Sequence, residues 1–221
     1  MSLACEPLRL IAGDAPRALI IHVTDAREAQ TLDDMLGHLA RLAGGGWAYA
    51  ALAVSDWDGD LSPWPVTGRR FGGNARRTLD ALLTQALPRL TGVPDGLPIC
   101  LGGYSLAGLF ALWAAYACDR FDAVAAASPS VWYPGWDAFA DARAPRVRGA
   151  SLSLGKRESR ARDPQMATVG EAIVRQQARF EAAGIPCAFA WNEGGHFTEP
   201  EKRTAAAFAS AMNILTGEID R

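Results

Sequence analysis

The stretch from Leu97 to Tyr116, LPICLGGYSLAGLFALWAAY, decides the fold. Ile99 to Leu101 is a short apolar run bounded by Pro98 and by Gly102-Gly103, the pattern of a buried strand. Leu106 to Tyr116 is apolar on every side and too long for a strand, so it predicts a helix buried in the body of the protein. Between them, Gly103-Tyr104-Ser105-Leu106-Ala107-Gly108 puts a serine at the corner. A strand that turns this sharply into a helix strains its corner residue and pushes that side chain out above the sheet. Small residues two places either side let strand and helix approach without clashing. These are the mechanics of a nucleophile elbow, G-x-S-x-G, here with Ala107 in the last position and Gly108 directly after it. Ser105 is thus a candidate nucleophile; the plainer alternative is a serine in a glycine-rich turn. The phosphate-binding spacings G-x-G-x-x-G and G-x-x-x-x-G-K-[ST] do not fit.

On the N-terminal side of this unit, Leu8 to Ala12 and Ala18 to Val23 are apolar runs joined by Gly13-Asp14-Ala15-Pro16-Arg17. The link is too short for a parallel crossover, so an antiparallel hairpin is expected. A helix follows with Leu32, Met35, Leu36, Leu39 and Leu42 on one stripe and His38 on its other face, beside Asp34 and Arg41. Gly44-Gly45-Gly46 ends it, and Ala48 to Val54 is the next strand. The irregular loop SDWDGDLSPWPVTGRRFGG leads to Asn74, a plausible N-cap for a helix striped by Leu79, Leu82, Leu83, Ala86 and Leu90.

Beyond the elbow helix, Phe121 to Ala127 and Ala150 to Leu154 read as strands. Asp163-Pro164 looks like a cap with proline in the first turn, opening a helix that reaches Ala183 with Gly184 as its stop. Cys187 to Trp191 is the last strand, and Thr198 to Glu201 reads as a capping box for a C-terminal helix. This alternation predicts an α/β fold, a mainly parallel sheet with helices on both faces and no room for a large cap domain. At 221 residues, a single domain is expected.

The totals narrow the function. Hydrophobic content of 49% and charged content of 21% are those of an ordinary globular chain. A formal net charge of −2 argues against nucleic acid or an anionic membrane as the main partner. No apolar run reaches the roughly 18 residues of a membrane span. The opening residues, MSLACEPLRLIAG, lack a basic region followed by an apolar core, so no secretory signal is expected. The four cysteines show no metal-type spacing, and Cys100 and Cys118 fall in apolar segments. They read as buried thiols in a reducing, cytoplasmic setting.

Acyl transfer by serine needs a base, and histidine is the side chain whose proton affinity suits neutral pH. His38 lies on a helix surface and His22 precedes the nucleophile at a strand end. His196 follows the last strand in a glycine-bearing loop, where its ring can hang over the sheet edge; the alternative is a loop histidine without a task. The acid that orients it is expected between Ser105 and His196, beyond the strand ending at Leu154. Glu158 and Asp163 both qualify, and Glu158 is favoured because Asp163 already has a capping role. An oxyanion hole needs two backbone N–H groups. Leu106 is one, and Thr24, or after it Asp25, is the expected second by position. Strand-end loops carry Trp57, Trp64, Trp132, Tyr133 and Trp136, and Tyr104 adjoins the nucleophile. Trp57, Trp64, Trp132, Tyr133 and Tyr104 are candidates for contact with acyl or aryl groups, unless the rings simply roof the sheet.

GYSLAGLFALW at the elbow, DWDGDLSPWP, SPSVWY, SLGKRE and GGHF together resemble the esterase family of α/β-hydrolases that includes enterochelin-esterase-like and esterase D-like proteins. The resemblance runs over most of the chain from Ala48 onward. It implies serine hydrolysis of a carboxylic ester of a small molecule without a cofactor. Two positions depart from the pattern: Ala107 replaces the usual glycine, and Lys156 and Arg157 stand where such loops often carry an acid. A thioesterase or acyltransferase with the same triad, or a non-catalytic binding protein of the same fold, are the alternatives.

Overall fold

A computed structural model describes residues 7–217. In chain order it contains β1 (Pro7–Ile11), β2 (Ala18–Thr24), α1 (Leu32–Ala43), β3 (Trp47–Ala53), α2 (Trp57–Asp60), α3 (Ala75–Ala81) and β4 (Ile99–Tyr104). Then come α4 (Ser105–Ala117), β5 (Ala123–Ala127), α5 (Trp136–Asp141), β6 (Gly149–Gly155), α6 (Pro164–Ala167), α7 (Val169–Ala182), β7 (Cys187–Asn192) and α8 (Pro200–Thr216). The strands form a seven-stranded sheet in the order β1-β3-β2-β4-β5-β6-β7, parallel except for β1.

Successive residues of a strand point to opposite faces, and β2 shows both halves of the core. Leu19, Ile21 and Val23 pack with α3, α4 and α7, whereas Ala18 and Ile20 pack with α1 and α8. Alternation of apolar and polar residues is absent because helices cover both faces. Helix α4 is buried from Leu106 to Tyr116, as its uniformly apolar sequence requires.

Several local expectations change in the folded chain. β1 is antiparallel, but it pairs with β3 instead of forming a hairpin with β2. Both edges of β2 are taken by parallel neighbours, β3 and β4. The link therefore crosses the start of β3 at Gly13 (φ +71°), where a Cβ would lie 2.3 Å from the Trp47 carbonyl oxygen. Leu42 stays exposed at the end of the α1 stripe. Asn74 stands at the cap position of α3 without a side-chain capping bond, and the helix widens into a π turn over Leu82–Ala86. The helix begun at Pro164 is broken near Thr168 into α6 and α7. The capping box does not form: Thr198 Oγ1 instead accepts from the Gly195 N–H at 3.1 Å, folding the loop that carries His196 back on itself.

The corner between β4 and α4 is a close approach of strand and helix. A Cβ on Gly103 would sit 2.6 Å from Ala107 Cβ and 2.8 Å from the Val23 carbonyl oxygen. Gly103→Val is expected to destabilise the protein by about 1–3 kcal/mol or more, the cost of overpacking a closed core. Gly45→Ala, where nothing lies within 4 Å of the added carbon, is expected to leave stability nearly unchanged. Urea unfolding of the two variants checks the contrast.

Candidate active site

Ser105 is the first residue of α4 and has φ +55°, in the left-handed region that non-glycine residues avoid. Such a conformation costs about 1–3 kcal/mol and persists only where its surroundings enforce it. Here β4 and α4 fix the chain on either side, and the Ser130 N–H donates to the Ser105 carbonyl at 3.1 Å. The strain aims Oγ at the loop after β7, where His196 Nε2 lies 3.0 Å away. The His196 ring is held from below, because the Tyr104 hydroxyl donates to the His196 carbonyl at 2.5 Å.

Glu158 occupies a short 3₁₀ turn just past β6 and is 7% exposed. Its Oε2 lies 2.7 Å from His196 Nδ1. Its Oε1 accepts from the Gly155 N–H (2.7 Å), the Ser128 hydroxyl (2.7 Å) and Arg203 Nη1 (3.2 Å). Burial alone would push the Glu158 carboxyl up, but the hydrogen bond and charge of His196, with the Ser128 and Gly155 bonds, hold it below the ordinary carboxylate value. An ionised Glu158 only accepts hydrogen bonds, so His196 Nδ1 carries the proton there. Nε2 is left as the acceptor facing the Ser105 hydroxyl.

The structure thus brings Ser105, His196 and Glu158 into one hydrogen-bonded chain. Asp163 is elsewhere: it caps α6 by accepting from the Gln165 and Met166 N–H groups and pairs with Arg69 at 2.8 Å. Leu106 lines the cavity beside Ser105, and its N–H, in the first turn of α4, has no intrahelical acceptor. Thr24 is not among the residues that line this cavity. It is still paired in the sheet, fully buried, and its hydroxyl donates to Glu28 Oε2 at 2.9 Å. Asp25 accepts from the Arg27 and Glu28 N–H groups and faces a separate depression next to Trp57.

Ser105 opens into a cavity of about 550 Å³. Trp57 and Trp132 line it, together with Phe71, Met166, Phe197 and the rim residues Arg157 and Arg160. Trp57 is placed by α2, whose cap Asp56 accepts from the Gly59 N–H at 3.0 Å. Trp64, Tyr133 and Tyr104 are not in the cavity wall. Trp64 and Tyr133 pack edge to face at 5.7 Å, and the Tyr133 hydroxyl bonds the Trp64 carbonyl, so they tie two loops together. Tyr104 points to the opposite face of the sheet, into the core formed with α1 and α8. Among the described residues no cluster of ligating side chains is able to hold a metal ion.

Three polar residues of the site were not singled out in sequence, although Ser128 and Ser130 lie within SPSVWY. Ser128 follows β5 with φ +45° and presents its hydroxyl to Glu158. Ser130 Oγ lies 3.4 Å from Ser105 Oγ. Arg203, 3% exposed on α8, reaches Glu158 from the far side of the sheet.

A mainly parallel sheet wrapped by helices, with a strained serine at a strand-to-helix corner and a histidine beyond the last strand, defines the α/β-hydrolase fold. Solved structures share it. Siderophore hydrolase EstA from Aspergillus nidulans aligns with a TM-score of 0.68 and 20% identity over 92% of this chain and 86% of its own. Siderophore hydrolase EstB from the same organism aligns at 0.71 and 20% identity, over 89% and 82% of the two chains. An IroE-like serine hydrolase from Shewanella oneidensis aligns at 0.70 and 14% identity, over 94% and 73%. No family model matches the sequence, and no curated protein matches it.

The His196–Glu158 contact has a spectroscopic consequence. A ring N–H held 2.7 Å from a buried carboxylate is expected to give a proton resonance well downfield of the amide region. The signal should vanish in Glu158→Gln and survive in Asp163→Asn. Its survival in Glu158→Gln would remove Glu158 from this contact.

Proposed function

We propose that the protein is a serine hydrolase that cleaves carboxylic esters of small molecules through an acyl-enzyme on Ser105. The observation that carries this reading is the unbroken chain from Ser105 Oγ through His196 to Glu158, at a strained corner that opens into a cavity of substrate size.

Ser105 Oγ attacks the ester carbonyl carbon while its proton passes to His196 Nε2. The carbonyl oxygen becomes an oxyanion, stabilised by the Leu106 N–H and, by position at the end of β2, by the backbone N–H of Thr24 or Asp25. Collapse expels the alcohol, which takes the proton from His196 and leaves the acyl group on Ser105. Water entering the open cavity then gives its proton to His196 and attacks the acyl carbon, and the acid departs as Ser105 recovers its hydrogen. Glu158 stays ionised throughout and stabilises the imidazolium, the role suited to a carboxyl held below its ordinary range. Every atom in the cycle belongs to substrate, water or these side chains, so the reading includes no cofactor.

The walls formed by Trp57, Phe71, Trp132, Met166 and Phe197 suit an acyl or aryl group. Two of the structural neighbours are named for siderophores, which makes siderophore esters the first library to screen. The reading extends to one domain in a reducing, cytoplasmic compartment, in keeping with free thiols at Cys100, Cys118 and Cys187. Among the described residues no helix is long and apolar enough to cross a membrane.

A fluorophosphonate probe is expected to add covalently at Ser105, and short-chain p-nitrophenyl esters to be turned over. Ser105→Ala should abolish labelling and lower kcat on the order of 10³-fold or more. An unchanged intact mass after prolonged incubation, with no ester turnover, would favour a binding protein of the same fold. Glu158→Gln is expected to lose about 10² or more in kcat, while Asp163→Asn keeps most activity because asparagine still caps a helix. Replacing Trp57 and Trp132 together by alanine should raise KM about tenfold for aryl esters. Unchanged kcat/KM in the folded double variant would separate these rings from substrate binding.

A further inference from the structure

Arg203 is a buried cation in the second turn of α8, and α8 packs on the face of the sheet opposite α4. Its guanidinium reaches residues at or just past the C-terminal ends of β4, β5 and β6. Nη1 lies 3.2 Å from Glu158 Oε1, 3.3 Å from the Tyr104 hydroxyl and 3.4 Å from Ser128 Oγ. Nη2 donates to the Glu193 carbonyl, at the end of β7, at 2.6 Å. The donors and acceptors close. Tyr104 gives its proton to the His196 carbonyl and Ser128 gives its proton to Glu158, so both hydroxyl oxygens are free to accept from Arg203.

The space is reserved for this contact. A Cβ on Gly155 would stand 2.9 Å from both Arg203 Nη1 and Glu158 Oε1. Glu158 is the only carboxylate paired with Arg203 among the described residues, and a buried guanidinium needs such a partner.

We propose that Arg203 is a positioning residue for the Ser105–His196–Glu158 chain. It holds Glu158 and, through Tyr104, the backbone of His196, and it offsets the Glu158 charge felt by the imidazole. The inference rests on the serine-hydrolase reading above. Without Arg203, Glu158 would act on His196 as an uncompensated anion, which favours imidazolium and takes the base out of its working form. With Arg203 the Glu158–Arg203 pair is neutral as a unit, and removing Arg203 leaves a net negative charge facing the imidazole.

Of the other titratable groups, Glu28, pushed up to about 7 by burial, lies with His22 and Glu201 in a depression that Tyr104 also lines, and it is common to wild type and variants alike. Lys156 pairs with Glu193, and Lys202 with Glu199 at the start of α8. Asp58 on the cavity wall pairs with Arg70. Arg157 and Arg160 stand at the exposed rim, where solvent screens them. Tyr104 is pushed up by burial and stays neutral.

The test is the pH dependence of kcat/KM for a p-nitrophenyl ester. Arg203→Met is expected to move the acid limb up by about one pH unit, the scale of losing one nearby charge. Arg203→Lys keeps the charge but cannot reach both Glu158 and the Glu193 carbonyl with a fork. Its acid limb should stay near that of the wild type while kcat on the plateau falls roughly tenfold. If Arg203→Met does not fold, the comparison moves to Glu158→Gln against Glu158→Gln/Arg203→Met, where removing the lone cation should again raise the acid limb. Acid limbs that coincide in the available pair, with only melting temperature changed, would overturn the proposal. Wild-type protein without ester turnover or probe labelling would instead remove the serine-hydrolase reading itself.

Discussion

The structure depends on one strained backbone position. Ser105 takes a left-handed φ because the chain must pass from β4 to α4 without an intervening loop, and Gly103 and Ala107 are small enough to let it. The cost of that conformation is of the order of 1–3 kcal/mol, and the fully buried helix α4 offsets it with a much larger apolar area. A serine placed this way has its hydroxyl above the sheet edge before any substrate arrives. Relaxing the strain would turn Oγ away from His196, so the strain and the site are one feature.

Charge compensation beneath the sheet edge is the second constraint. A carboxylate as buried as Glu158 would ordinarily take up a proton and cease to orient a histidine. The hydrogen bond and charge of His196, with the Ser128 hydroxyl after β5 and the β6 backbone at Gly155, prevent this, and the guanidinium from α8 lies 3.2 Å from the same carboxylate. The acid therefore draws on strands and a helix from both layers of the protein, whereas the nucleophile needs only the local strand and helix.

The aromatic loops divide by the same logic of layers. Trp57 and Trp132, with Phe71 and Phe197, stand on the side of the sheet edge where Ser105 opens, and they wall the cavity. Trp64 and Tyr133 sit behind them and hold the loops in place, while Tyr104 faces down into the other core. Aromatic residues in sequence thus serve as wall, scaffold and tether according to their depth.

The sequence by itself determined the elbow, the alternation of strands and helices, and the order of serine, acid and histidine. These rest on local patterns, such as a buried run turning through small residues, or a proline-opened cap at Asp163, whose physics acts within a few residues. Tertiary structure decided the rest. The partner of β1 depended on which strands flank β2, a question of sheet topology that no short window contains. The cap at Asp163 favoured Glu158 already in the sequence, but that its turn faces His196, 38 residues further on, is a contact only the folded chain contains. Arg203 looks in sequence like any charged residue on an amphipathic helix. Only the packing of α8 under the sheet brings it to Tyr104, 99 residues away, and to Glu158. Contacts of that range are set by how whole layers stack, and composition and spacing carry no trace of them.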